Sequence, residues 1–440
     1  MSNPKKRRTS LGTIVMLVYS VCVLAGFVLL MPSFTGNQDI FIDAARLAVA
    51  MDDSLSQLGA STSQLLPTRT DSQQTIIPPF TSQTQPSSNA PAMTPEPVPT
   101  VSPKRSFSLC AAGSIELNSD VRKALTINKE LRYDLLTDQL AQALKADLSI
   151  ATLYNTVSAS NKLSGVNMEA DLLTALRYTG INALNISHSN ALNYGSTGFT
   201  ETADAVTDAG MTPLGTGTNG AFTLNGVNVA VLHYQDTLSA TGRKQVSETE
   251  RAQLIHPIDI AAISSDISAL RAAGAQVVIV TLWWGEDGKD APSSKQKSQA
   301  QGIANAGADI ILGTGNGALQ PVQVLSADRG DGKYHPVLCA YSLGNLFSPD
   351  RESRVTLAGI LLKTNVVYDA ASSTVAFENL TYTPTYAWRG KDDGKTIQRI
   401  LINNPNQLPA FVDANQQGVM ERCMTLVTTI MADTVIPMAY

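Results

Sequence analysis

Histidine is scarce in this chain: His188, His233, His256 and His335 are the only four among 440 residues. Transition-metal centres of the dinuclear kind draw on several imidazoles and carboxylates, so such a thin, scattered supply argues against a histidine-rich metal site. Cysteine is equally sparse, at Cys22, Cys110, Cys339 and Cys423, and no two form a C-x-x-C pair. That excludes a zinc knuckle, and the three cysteines beyond the first apolar run cannot all pair within one chain. They read as small buried residues, with a single disulfide as the alternative. Charged residues make up only 16% and the net charge is −5, which leaves no basic face for nucleic acid. Two nucleotide and nucleophile signatures are missing as well. Ser342 lies in no Gly-x-Ser-x-Gly frame, and Gly313-Thr314-Gly315-Asn316-Gly317 lacks the Lys-Ser/Thr ending of a P-loop. The first reads as a loop serine bonding backbone, the second as a turn made tight by glycines.

What the chain does have begins with an anchor. Lys5, Lys6, Arg7 and Arg8 precede an uncharged apolar run at residues 11–31, roughly the 20 residues that cross a bilayer as a helix. Residues 1–10 are expected to stay in the cytoplasm, which sends the remainder outside as a single-pass protein of a bacterial cell membrane. A cleaved signal peptide has the same basic start, but its apolar core is usually ~7–15 residues, and Pro32, Ser33 and Phe34 offer no small-x-small cleavage site. Residues 32–60 follow as a juxtamembrane segment, with Phe41, Ala44, Leu47, Ala48 and Met51 close to helical spacing. Residues 61–105 are rich in Pro, Ser, Thr and Gln, a composition that cannot bury enough apolar surface to order itself and is expected to be a spacer. The abundance of Ala, Thr, Ser, Asn and Gly beyond it suits an extracytoplasmic domain.

From residue 106 to about 390 short apolar strands alternate with helical patterns, the signature of an α/β domain with layered sheet and helices. Strands are expected at 107–112, 148–153, 227–234, 276–282, 309–312 and 337–341, with a hairpin at 357–367 and 374–383. Helices are expected at 133–145, 169–179, 200–209, 258–273 and 296–306. Residues 391–440 are expected to add a helical extension, at 397–402 and 416–431. Polar or Gly-rich loops follow the carboxyl ends of strands at Ser114, Tyr154, Ser187–Asn190, Trp283–Asp287, Gly313–Gly317 and Ser342–Asn345. In α/β sheets such loops converge on one site.

Four of these stretches carry a resemblance. Ala191-Leu192-Asn193-Tyr194-Gly195 matches A-L-D-Y-G, and Trp284-Gly285 matches part of H-W-G-x-E. Gly307-Ala308-Asp309-Ile310-Ile311-Leu312-Gly313 matches G-A-D-x-I-I-G, and Tyr341-Ser342-Leu343-Gly344-Asn345-Leu346 matches Y-S-L-G-N-F. In this order and spacing the chain resembles the CapA family of bacterial capsule or poly-gamma-glutamate synthesis proteins. The resemblance implies a layered α-β-β-α domain similar to the calcineurin-like metallophosphoesterases. The departures fall on the family's polar positions. G-D becomes Gly113-Ser114, N-L-E becomes Thr152-Leu153-Tyr154, N-N-H becomes His188-Ser189-Asn190, and the Asp of A-L-D-Y-G becomes Asn193. The His of H-W-G becomes Trp283, with Glu286 and Asp287 near its acidic position, and G-H-H-P-H becomes Gly313-Thr314-Gly315-Asn316-Gly317.

Pocket candidates are therefore Ser114, Tyr154, His188, Asn190, Asn193, Trp283, Trp284 and Asn345, with no metal ligand and no cofactor expected. Trp283 and Trp284 read either as stacking surfaces for a sugar or apolar face, or as core. His188 reads as a loop residue and Asp309 as a cap or turn. Glu286 and Asp287 are the catalytic candidates, but neighbours on an extended segment point to opposite faces, so only one is expected to face the pocket. The anchor, the resemblance and the departures from it together lead to the expectation of a membrane-anchored extracytoplasmic protein without metal catalysis, binding or scaffolding an anionic or sugar-containing envelope polymer beside other membrane proteins of its synthesis. The alternative is an active hydrolase or transferase with a rebuilt, metal-independent site.

Overall fold

The computed structural model describes residues 104–440, apart from 164, 351, 352 and 435. The expected cytoplasmic tail, the membrane segment at 11–31, the juxtamembrane segment and residues 61–103 of the spacer lie outside the described residues. Strand β1 (Lys104–Ile115) is followed by α1 (Ser119–Ala124), the ribbon β2 (Thr126–Ile127) and β3 (Glu130–Leu131), and the short α2 (Asp134–Thr137). Next come β4 (Leu148–Leu153), α3 (Asp171–Tyr178), β5 (Ala183–Asn185), α4 (Gly195–Asp208), β6 (Thr212–Leu214), β7 (Gly220–Leu224) and β8 (Val227–Gln235). Helices α5 (Ala240–Gln245), α6 (Glu248–Leu254) and α7 (Ile260–Ala272) lead to β9 (Val277–Trp283), α8 (Ser294–Asn305) and β10 (Ile310–Thr314). The chain closes with β11 (Val322–Ala327), β12 (His335–Ala340), β13 (Asn345–Phe347), β14 (Ala358–Asp369), β15 (Thr374–Asp392), β16 (Lys395–Ile402) and α9 (Ala414–Ile430).

The strands form two large mixed sheets. One runs β16-β15-β14-β1-β4-β5-β6, with β13 added beside β1; the other runs β11-β12-β10-β9-β8-β7. Period-two alternation decides how they stack. Val229 and Val231 of β8, Val277 and Ile279 of β9, and Ile310 and Leu312 of β10 join the core shared with the first sheet. Their neighbours Ala230, Leu232, Val278, Val280 and Ile311 turn the other way, onto Ile263, Ile267 and Leu270 of α7 and Ala300, Ile303 and Ala304 of α8. The outer side of the first sheet is covered by α2 and α9, which pack on β14, β15 and β16. The result is the α-β-β-α layering implied by the resemblance, formed because each sheet must bury two apolar faces. Cys110, Cys339 and Cys423 are all buried outside any disulfide, and burial pushes the Cys110 thiol up to about 12.

Chain direction places the site. Strands β1, β4, β5 and β6 are mutually parallel, as are β8, β9, β10 and β12, so the carboxyl ends of both sets open onto one edge of the sandwich. The loops there can close in because two positions lack a Cβ. A side chain at Gly113 would meet the Gly344 carbonyl oxygen at 2.0 Å, and one at Gly315, whose φ is +111°, would meet the Trp283 ring at 2.8 Å.

Several expectations need correction. Residues 133–145 are not one helix: α2 gives way to a 3-10 turn at Asp138–Leu140, and Gln142 takes a φ of 61° while its side chain donates to the Tyr178 carbonyl. Tertiary packing of Leu136, Leu140 and Leu144 overrides the local pattern. The expected helix at 397–402 is the strand β16, paired antiparallel to β15; six apolar-rich residues are too few to separate period 2 from 3.6. The sheet thus continues past the expected boundary at 390, and only α9 makes the C-terminal part helical. Asp309 is neither a cap nor a simple turn residue. Its buried carboxylate accepts from the Val278 N–H at 2.8 Å and is gripped by Arg271 at 2.6 Å and Arg329 at 3.1 Å. It ties α7 and the loop after β11 to the start of β9.

Removing one partner of a buried ionic cluster leaves the other charges uncompensated. Asp309→Ala is therefore expected to lower unfolding stability by about 3–5 kcal/mol in chemical denaturation. A loss below about 1 kcal/mol, the range of surface pairs, contradicts this role.

Candidate functional site

At the carboxyl edge the loops enclose a cleft of about 840 Å³. Its walls come from the ends of β1 (Ser114, Glu116), β4 (Tyr154), β9 (Trp283, Trp284) and β10 (Gly315), and from the segment after β12 (Asn345, Ser348, Asp350). Asn345 is the joint of this wall. It accepts the Ser114 hydroxyl at 2.6 Å and donates to the Gly317 and Thr356 carbonyls at 3.0 Å each. Trp284 is core-facing, its indole N–H donating to the Tyr341 carbonyl at 2.8 Å. Ser342 accepts from the Gly344 N–H at 3.2 Å, a local turn bond.

Beneath the cleft floor a polar seam joins the two sheets. Asn185 Nδ2 and Thr281 Oγ1 lie 2.9 Å and 3.0 Å from His233 Nδ1, Ser187 donates to Gln235 at 2.8 Å, and Thr152 meets Thr314 at 3.3 Å. Three rings seal this seam from above. Tyr154 stacks on Trp283 with centroids 5.3 Å apart, and His188 lies 4.6 Å from Tyr154 and 5.7 Å from Trp283.

Of the candidates, Ser114, Tyr154, Trp283, Trp284 and Asn345 line the cleft; His188, Asn190 and Asn193 do not. His188 is buried as the inner ring of this floor, where its Nδ1 accepts the Asn190 N–H at 3.2 Å. Asn190 donates to the Tyr154 hydroxyl, and Asn193 accepts the Ser239 hydroxyl at the start of α5. Glu286 and Asp287 both line the cleft, against the expectation that only one faces it. The segment is a turn rather than a strand: Gly285 has a φ of +93°, and the Gly288 N–H donates to the Asn316 carbonyl at 2.7 Å, so the strand alternation stops at Trp283.

Glu116 and Asp350 also belong to the cleft and were missed. Neither falls in a motif, and only pairing across the fold brings them in: the Glu116 N–H donates to the Phe347 carbonyl at 2.9 Å. Burial, and then the charge of Asp350, hold the Glu116 carboxyl above its usual range. Glu116 and Asp287 both act on Tyr154, whose hydroxyl is pushed up by burial first and by their charges after it. Four carboxylates of the described residues thus share the cleft, and none of the described Lys or Arg residues lines it.

A transition-metal pair does not fit this donor set. Among the described residues no group of three His, Cys, Asp or Glu is placed to hold an ion. The carboxylates line the cleft, whereas His188 and His233 are buried and do not line it.

Burial holds His188 down at about 3, helped by the charge of His233, and holds His233 at about 3, helped by that of His256. Their ordinary value is 6.5. Between these values the unfolded chain binds protons that the folded chain refuses, so stability falls as pH drops below 6.5 toward 3. A thermal-unfolding series from pH 7 to 4 is expected to show a smaller decline for His233→Gln than for the unaltered chain. Parallel declines for the two proteins contradict a buried neutral imidazole at this position.

Comparison with known proteins places this architecture. The family described as bacterial capsule synthesis protein PGA_cap matches residues 108–350. The chain is 27% identical over 187 residues to the capsule biosynthesis protein CapA of Bacillus anthracis, covering 41% of this chain and 43% of that protein. It is 25% identical over 202 residues to the PGA biosynthesis protein CapA of Bacillus subtilis (strain 168), covering 44% and 50%. The matches therefore span half or less of these relatives' length. Among solved structures it is similar to the Haemophilus influenzae NAD nucleotidase NadN, with a TM-score of 0.38, 10% identity, and coverage of 76% of this chain and 57% of that one. A phosphatase from Mycoplasma pneumoniae gives 0.35 and 12%, covering 62% and 91%. With the family match extending over more than half of its residues, from β1 to the cleft-lining Asp350, the chain belongs to the bacterial capsule synthesis protein PGA_cap family.

Proposed function

We propose that this chain is a membrane-anchored, extracytoplasmic binding or scaffold subunit in the synthesis of a capsule or other envelope polymer, and that it works without metal-assisted hydrolysis. Residues 11–31 would supply the anchor and 61–105 the spacer, holding the cleft away from the bilayer near other membrane proteins of the same synthesis.

The observation that carries this reading is the contact of Tyr154, His188 and Trp283 above the polar seam. These three rings occupy motif positions at which the resembling family has Glu, Asn and His. Aromatic side chains at all three exchange donor atoms for packing surface. Metal-assisted hydrolysis needs an ion to activate water or polarise the scissile group, and this floor offers no such set of donors. What remains is a roomy cleft with hydrogen-bonding and carboxylate groups on its rim, suited to holding a polar chain.

A second reading has one specific observation in its favour. Glu116 is a carboxyl held above its usual range beside Asp350, and pairs of acids with separated protonation are the raw material of acid–base catalysis. In that case the chain is a hydrolase or transferase with a rebuilt, metal-independent site in which Glu116 supplies the proton and Asp287 or Glu286 acts as the base.

Two measurements on the purified full-length chain separate them. The binding reading expects co-sedimentation with extracted envelope polymer, no phosphodiesterase activity with added manganese or zinc, and no stoichiometric metal. Manganese, iron or zinc bound one-to-one and lost on His188→Ala or Asp287→Ala overturns it. Polymer shortening that falls at least about a hundredfold in Glu116→Gln, the scale of a lost general acid, would favour the second reading.

A further inference from the structure

Glu286 and Asp287 reach the cleft from a segment whose own side chains do little to fix it. Residues 285–292 belong to no helix or strand, and the six from Glu286 to Ala291 are all exposed, so burial does not set the path of this loop. Buried carboxamides hold it from beneath. The Gly288 N–H donates to the Asn316 backbone carbonyl at 2.7 Å, and Asn316 Nδ2 donates to the Lys289 carbonyl at 2.7 Å. Gln320 Nε2 donates to the carbonyls of Lys289 and Ala291 at 3.1 Å each, while its Oε1 accepts from Gln296 Nε2 at 2.9 Å. Gln296 also closes the capping box of α8 with Ser293.

Gln320 ties this set to the core. It is fully buried, its N–H donates to the Ser342 carbonyl at 3.0 Å, and its neighbours Leu319 and Val322 belong to the core shared by the two sheets. Backbone carbonyls only accept, so the end of the side chain that meets Lys289 and Ala291 is the NH2 group and the oxygen faces Gln296. The place thus calls for two donors and an acceptor on one buried side chain, which a carboxamide supplies.

From this arrangement we infer that Gln320 is a positioning residue: through the Lys289 and Ala291 carbonyls it sets the path of the loop and stands Glu286 and Asp287 over the cleft before any ligand arrives. This role rests on the cleft being where the chain binds its polymer, and it names what keeps the acidic wall in place. A wall ordered only on binding weakens affinity, and one already ordered avoids that loss.

Hydrogen exchange of the full-length chain in neutral detergent, read by mass spectrometry, tests the first half of the role. Gln320→Met keeps the length of the side chain and deletes its donors. Exchange at residues 285–292 is expected to rise about tenfold or more, the scale of one or two lost hydrogen bonds, while β9 is unchanged. Should that variant not fold, Gln320→Glu, of the same shape, is read in the same way. No change in the loop, or an equal rise in loop and β9, overturns the inference. The second half predicts non-additivity. Co-sedimentation with extracted envelope polymer is expected to weaken about tenfold in Gln320→Met, yet to weaken no further when that change is added to Glu286→Gln with Asp287→Asn, because the groups it positions have already lost their charge. A loss of the same size in that background contradicts positioning through the carboxylates. If the unaltered chain binds no polymer while its loop responds as expected, the polymer-binding reading falls and Gln320 still holds the wall; if polymer binds while the loop does not respond, the positioning role falls alone.

Discussion

Everything at the working edge of this protein depends on the polar seam between its two sheets. Asn185, Ser187 and Thr152 of one sheet or its loops meet His233, Gln235 and Thr314 of the other through buried hydrogen bonds, and Thr281 braces His233 from within its own sheet. Each such bond contributes about 1 kcal/mol net, but stranding a buried partner costs more, so the seam fixes how the sheets meet rather than merely adding stability. His233 Nε2 is buried without a partner among the described residues, a desolvation cost that the seam carries. The aromatic floor of Tyr154, His188 and Trp283 lies directly over it and keeps solvent in the cleft from the seam. In the floor and below it burial keeps the imidazoles of His188 and His233 uncharged; above the floor the cleft groups are acidic. That separation decides what the cleft can do.

Much of the architecture could be read before any coordinates. Long apolar runs such as those at β9 and β10 are buried on both faces and flanked by helices, and runs of this kind announce parallel strands. Capping at Asp259 and Ser293 sharpens the starts of α7 and α8. The short elements were harder. β6, β7, β11 and β13 span three to six residues each, too few to show a period, and β16 looked helical for the same reason. Pairing with a neighbour, not the local pattern, makes them strands.

The site divides along similar lines. Motif positions led to Ser114, Tyr154, Trp283 and Asn345, because loops at the ends of parallel strands converge whatever residues they carry. They misjudged depth. His188 sits in the same loop as the cleft-lining Ser189 yet turns inward, and Asn190 and Asn193 hold their neighbours in place rather than facing a ligand. Glu116 and Asp350 carry no local signal at all; they become neighbours only when β13 pairs with β1. The strongest electrostatic feature of the cleft is thus a product of topology. Chemistry shared among distant segments is where reading along the chain fails.

We propose that aromatic packing stands in the place of metal coordination at this edge. Crystals soaked in manganese and measured at a wavelength where it scatters anomalously test it most directly. The account predicts no anomalous peak within bonding distance of Tyr154, His188, His233 or Trp283. A peak in the seam, ligated by His188 or His233 with the rings moved aside, would contradict it.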